Sequence, residues 1–158
     1  MKVVVMGVSG SGKTTIGQAL AKRLGCPFLD ADDFHPAANV EKMRAGVPLD
    51  DADRLPWLER LNAELRGTKE AVLACSALKA RYRDVLSAGI ADFRLVHLRG
   101  PFELIARRLA QRRHRYMPAS LLQSQFDALE PPVGAVAVDI GLPEDRCVES
   151  ILAQLGAG

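Results

Sequence analysis

The chain has 158 residues, a length suited to one domain, and with 48% hydrophobic and 25% charged residues it has the make-up of a soluble globular protein. A formal net charge of +2 gives no general attraction to nucleic acid or to an anionic membrane surface. Cys26, Cys75 and Cys147 include no C-x-x-C pair, which argues against a disulfide framework or a zinc site and fits reduced thiols in a cytoplasm.

In chain order, a strand is expected over 2–6, an apolar run too short for a signal peptide or a spanning helix. Ile16, Leu20 and Leu24 then form a helical stripe that stops at Gly25. A second strand (27–30) leads into FLDADDFHP at 28–36. Leu58, Leu61 and Leu65 mark a helix ending at Gly67, and a third strand is expected over 71–76. After a fourth strand (93–98), Ile105 and Leu109 mark the next helix, followed by the basic run RRLAQRRHR at 107–115. Leu122, Phe126 and Leu129 form another stripe, then a fifth strand (135–140) precedes a helix carrying Val148, Ile151, Leu152 and Leu155. The strand runs are largely apolar rather than alternating (VVVM, VLAC, VAV), as in parallel strands covered on both faces. The pattern predicts an α/β protein, one unit over 1–158, with no repeats and no linker.

Residues 7–14, GVSGSGKT, match G-x-x-x-x-G-K-[ST] at every fixed position, between a strand and an amphipathic helix. Gly7, Gly10 and Gly12 permit a tight turn that presents N–H groups to phosphate oxygens. The helix N-terminus adds its positive end, Lys13 adds a full charge, and the Thr14 hydroxyl suits Mg²⁺. Gly7, Ser9, Gly10, Ser11, Gly12, Lys13, Thr14 and Thr15 are therefore expected to bind a purine nucleotide through its phosphates.

FLDADDFHP closes the second strand as the glycine-rich loop closes the first, so both belong on one rim, where ligands of such sheets sit. The repulsion among Asp30, Asp32 and Asp33 calls for a nearby cation and a transferable proton. Asp32 is assigned as the carboxylate that orients and deprotonates the phosphoryl acceptor, and Asp30 as an outer partner of Mg²⁺ with Thr14. Asp33 suits the start of a helix, where a carboxylate opposes the dipole.

The third strand ends without the acidic residue that motors and switches use for Mg²⁺, and no N-K-x-D stretch occurs. Within 107–115, Arg108, Arg112 and Arg115 fall at i, i+4, i+7. Three readings stay open for this run: a solvated basic face, a nucleic-acid contact in a nucleotide-dependent switch or processing module, or a lid that closes an arginine over the phosphates. Arg112 is favoured for the lid role.

GVSGSGK at 7–13, LDADDFHP at 29–36, NVEKM at 39–43, PLDDADRLPWL at 48–58, CSALKARYRDVL at 75–86 and LLQSQFDALEPP at 121–132 together resemble the gluconokinase family, relatives of shikimate kinase among the small P-loop kinases. The resemblance implies a three-layer α/β/α P-loop kinase fold with strand order 2-3-1-4-5 and a small lid at about 112–120. It implies transfer of the ATP γ-phosphoryl group to the 6-hydroxyl of D-gluconate with Mg²⁺, in a cytoplasmic homodimer. Phosphorylation of another small hydroxy acid such as shikimate is the alternative. Nucleic acid and membrane are not expected as partners. Gluconate needs a cation at its carboxylate and mixed donors and acceptors along its hydroxyls. His35, Lys42, Arg54, Ser76, Lys79 and Arg83 are the candidates, with Arg54 chosen for the carboxylate. Trp57 is expected in the core.

Overall fold

The computed structural model describes residues 1–111 and 119–156. Five parallel strands, β1 (Lys2–Met6), β2 (Phe28–Asp30), β3 (Ala71–Ala74), β4 (Phe93–Arg99) and β5 (Val136–Asp139), form one sheet in the order β2-β3-β1-β4-β5. The seven helices described are α1 (Lys13–Leu24), α2 (Ala37–Arg44), α3 (Asp51–Arg66), α4 (Ala80–Ser87), α5 (Phe102–Ala110), α6 (Ala119–Ala128) and α7 (Glu144–Leu155). A single 3-10 turn spans Ala31–Phe34.

Alternation along β1 explains the layering. Val3 and Val5 point into a core with Ile16 and Leu20 of α1, Ile105 and Leu109 of α5, and Ile151 and Leu152 of α7. Val4 and Met6 point the other way, onto Trp57, Leu58, Leu61 and Leu65 of α3 and Leu86 of α4. Both faces of the strand are therefore dry, which is why its sequence shows no polar alternation. Helix α1 stops where expected, at Gly25 in the left-handed conformation (φ 69°). Helix α3 starts on a reciprocal capping box between Asp50 and Asp53.

Strand register sets the rim. Asp30 lies opposite Ala74, and Ala74 opposite Val5, two residues before Gly7. Two interstrand spacings, about 10 Å, separate the ends of β1 and β2, with the end of β3 between them. Strand β3 ends at Ala74 rather than 76. Cys75 still donates its N–H to Val5 O (3.1 Å), but Ala77 takes a positive φ of 44° and turns the chain out of the sheet.

His97 occupies the middle of the sheet and is 6% exposed. Burial first, then the positive charges of Arg99 and Arg83, push its pKa down to about 4. An unfolded histidine binds a proton between pH 6.5 and about 4 while the folded one does not, so stability is lost as pH falls through that window. The unfolding free energy should drop there by on the order of 3 kcal/mol. Denaturant titrations at a series of pH values should show this slope in the native protein and a flatter one in His97→Gln.

Candidate active site

The turn 7–12 is shaped by glycine where nothing else fits. Gly10 and Gly12 have φ of 84° and 92°. A Cβ on Gly10 would come within 2.8 Å of Leu109 Cγ, and one on Gly7 within 3.0 Å of Leu98 O. Helix α1 begins with Gly12 as N-cap, no capping side chain and no acidic residue in its first turn, so its positive end is left uncompensated by the protein. The Ser11 hydroxyl is buried at the floor of the turn and has no hydrogen-bond partner among the described residues. Lys13 Nζ donates to Val8 O (3.0 Å), which folds the ammonium across the loop. This is an anion cradle with its donors pre-aimed.

The acidic loop faces it. Asp30 Oδ1 accepts from the Asp32 N–H (3.0 Å) and caps the 3-10 turn, while Asp30 Oδ2 accepts from the Thr14 hydroxyl (3.3 Å). Asp30 is thus engaged on both oxygens. Asp32 is exposed, and its carboxylate makes no hydrogen bond to any described residue. Between the loops, at the end of β3, burial first pushes the Cys75 thiol up to about 12. The Ala77 backbone and Lys13 oppose that rise, while Asp32 and Asp30 add to it. The strand order puts the end of β3 between the loop that follows β1 and the loop that follows β2.

His35 stacks on Trp57 with ring centroids 4.2 Å apart and 13° between planes. Trp57 donates to Ala31 O (2.7 Å), tying the 3-10 turn to α3. Asn39 Nδ2 lies 3.2 Å from His35 Nδ1. An amide nitrogen can only donate, so Nδ1 accepts and Nε2 of the neutral ring carries the hydrogen. Burial first, and Arg54 next among the lowering influences, hold the ring's pKa below its usual value against the pull of Asp32. His35 therefore offers an N–H donor beside Asp32.

Arg54 donates to the Tyr82 hydroxyl (3.3 Å), and its guanidinium carbon lies 5.6 Å from the centre of that ring. Tyr82 donates to Asp51, which also pairs with Arg81 and, at 3.9 Å, with Lys79. Two cations pair with Asp51 and Arg54 reaches it through the Tyr82 hydroxyl, so three positive charges stand around one carboxylate, an arrangement suited to an organic acid. Tyr82 and Asp51 were not among the sequence candidates; only their place within the quoted motifs pointed to them.

Two candidates have other occupations. Lys42 pairs with both oxygens of Asp53 (3.0 and 2.8 Å), pinning α2 to the capping box of α3. Arg83, 9% exposed, donates to the carbonyls of Ala77, Leu78 and Glu130. It holds the turn of positive φ at Ala77, beside half-buried Ser76. Arg83→Met should strip the Ala77 and Glu130 carbonyls of their donor, leaving Leu78 O with the Glu130 N–H alone, and cost about 3 kcal/mol in denaturant unfolding, a loss that Arg54→Met, at a half-buried position, should not match.

Arg108 departs from the solvated-face reading. It donates to Ile140 O and lines a cavity of about 250 Å³ with Gly10, Gly12, Thr15, Ile16 and Leu142. A cavity with phosphate-loop residues on one side and a guanidinium with Leu142 on the other suits a nucleotide base. A larger cavity of about 720 Å³ near His97, Phe126 and Pro132 has none of the sequence candidates in its lining. Arg112, and most of the 112–120 lid expectation, lie outside the described residues.

Among the described residues no group of three or more His, Cys, Asp or Glu could hold a metal ion. The Thr14 hydroxyl with the Asp30 carboxylate is a pair of hard oxygen donors beside the cradle, which fits Mg²⁺ arriving with nucleotide phosphates.

A parallel five-stranded sheet with an anion cradle closing its first strand, and a carboxylate loop on the same rim, defines a small P-loop phosphotransferase. The model of the shikimate kinase family matches residues 9–127. The gluconokinase of Gluconobacter oxydans (strain 621H) is 48% identical, over 82% of this chain and 75% of its own. The thermosensitive gluconokinase of Escherichia coli (strain K12) is 42% identical, over 95% and 87%. The crystal structure of a gluconokinase from Sinorhizobium meliloti 1021 superposes with a TM-score of 0.91 at 43% identity, over 98% of this chain and 91% of that one. The chain belongs to the gluconokinase family.

Proposed function

We propose that this protein transfers the γ-phosphoryl group of ATP to the 6-hydroxyl of D-gluconate, forming 6-phospho-D-gluconate and ADP. The observation that supports this reading is that the glycine-rich cradle with Lys13 and the carboxylate loop with Asp32 close β1 and β2 on one rim of the sheet, joined by the Thr14–Asp30 hydrogen bond. The cradle N–H groups and Lys13 bind the phosphates, and Asp32 accepts the proton of the 6-hydroxyl as its oxygen bonds to phosphorus and the bond to the ADP oxygen breaks. Thr14 and Asp30 would hold Mg²⁺, which neutralises charge on the phosphoryl oxygens. Arg54 and Lys79, in the positive patch around Tyr82, take the gluconate carboxylate. His35 Nε2–H and the Ser76 hydroxyl meet hydroxyls along the sugar acid. Lys42 and Arg83 act by positioning α2 and the 76–80 turn.

The reading extends to a cytoplasmic homodimer acting as one unit over 1–158. The family resemblance supports it; among the described residues no helix is long and apolar enough to cross a membrane. Sedimentation of the pure protein tests the dimer. The activity is tested by coupled ADP release over sugar acids, polyols and shikimate. Release dependent on gluconate is the expected result; turnover of shikimate or a polyol instead would move the specificity and leave the class standing.

A further inference from the structure

Helix α6 reaches the phosphate loop through Gln125. Gln125, half-buried, accepts the Ser9 N–H on Oε1 (2.8 Å) and donates from Nε2 to the Ser9 hydroxyl (3.0 Å). The orientation of the carboxamide is forced. A main-chain N–H can only donate, so the amide oxygen faces it and the NH₂ group faces the hydroxyl. The consequence falls on the hydroxyl proton. Once Ser9 Oγ accepts from Gln125, its own hydrogen is left to point elsewhere, and Ser9 sits in the turn that wraps the phosphates. Between Val8, whose carbonyl holds Lys13, and Gly10, whose positive φ starts the cradle, the Ser9 main chain is held from outside the loop by Gln125.

Helix α6 is itself held at both ends of this reach. Leu122 is 1% exposed in the core, and Phe126 tilts against Phe102 of α5 at 5.6 Å. Beyond the helix, Glu130 donates its N–H to Leu78 O (2.8 Å), accepts the Ala80 N–H on its carboxylate (2.7 Å) and receives Arg83 on its carbonyl. One short segment thus joins the phosphate loop to the turn carrying Ser76 and Lys79.

We infer that Gln125 is a positioning residue for phosphoryl transfer, fixing Ser9 so that its hydroxyl donates to the phosphoryl group and coupling the phosphate loop to the acceptor side through α6. This rests on the kinase reading above. Because Leu122, Phe126 and Glu130 dock the helix without it, Gln125→Ala should fold.

The test is a double-mutant cycle with a second measurement that needs no turnover. Gln125→Ala should lower kcat about tenfold, the size of one lost hydrogen bond near developing charge, with the gluconate KM within about twofold. In a Ser9→Ala background the same change should cost less than about twofold, since the hydroxyl that Gln125 orients is gone and only its hold on the main-chain N–H remains. Gln125→Glu keeps an acceptor for the N–H but has no donor for the hydroxyl, so it should lose rate while the Ser9 amide stays protected. By NMR hydrogen exchange, the Ser9 amide should exchange at least about tenfold faster in Gln125→Ala than in the native protein. Equal losses of rate in both backgrounds, or an unchanged kcat, would overturn the inference. So would unchanged exchange at Ser9. If the native protein prefers a different acid, the cycle is run on that acid, and the exchange result stands by itself.

Discussion

Lys13→Ala is expected to remove at least about 10³-fold of kcat/KM, the upper end of what one transition-state donor supplies, because a full charge is lost from a preorganised site. The fold should barely register the change. Lys13 is half-buried, and its ammonium donates to Val8 O at the mouth of the loop. Its removal should cost about 1 kcal/mol and move Tm by roughly 2–4 °C. Steady-state kinetics with a thermal melt on the same sample separates the two effects. A melt that collapses along with the rate would show that the lysine holds the loop rather than the phosphates.

Asp32→Asn should lower kcat by about 10²–10⁴-fold while ATP still binds. Asparagine keeps the shape and removes the proton acceptor. A carboxylate that merely opposed the dipole of the turn would be worth about 0.3–1 kcal/mol of stability and nothing in rate. The two outcomes do not overlap. Asp30→Asn should behave differently, because Asp30 holds the Asp32 N–H and the Thr14 hydroxyl. It should disturb the turn and nucleotide binding together.

The parts legible in the sequence were those with a strict local requirement. Gly10 and Gly12 are demanded by positive φ, and the acidic loop by its place after β2, so the cradle and Asp32 could be located before any geometry. The stripes of α1, α3 and α7 were legible because their buried residues are aliphatic at helical spacing. Helix α4 was not. Its buried positions are Tyr82, Arg83 and Leu86, and a helix whose inward face carries a tyrosine and an arginine shows no apolar stripe. The roles of Arg83, Arg108 and Lys42 were equally hidden. Each depends on which carbonyl or carboxylate lies opposite in space: Glu130 O for Arg83, Ile140 O for Arg108, Asp53 for Lys42. Sequence can show that a cation is present, but only tertiary contact shows whether its charge is already spent. Gln125 is the same case with a neutral side chain, since Ser9 lies 116 residues away along the chain.

The most direct test of the whole account is phosphorus–proton correlation NMR on the product formed from ATP and gluconate. A phosphorus signal coupled to the two protons of the terminal carbon, appearing only when gluconate, ATP and native protein are combined, is the predicted result. Phosphate on any other carbon, or ADP formed at the same rate without gluconate, would contradict it.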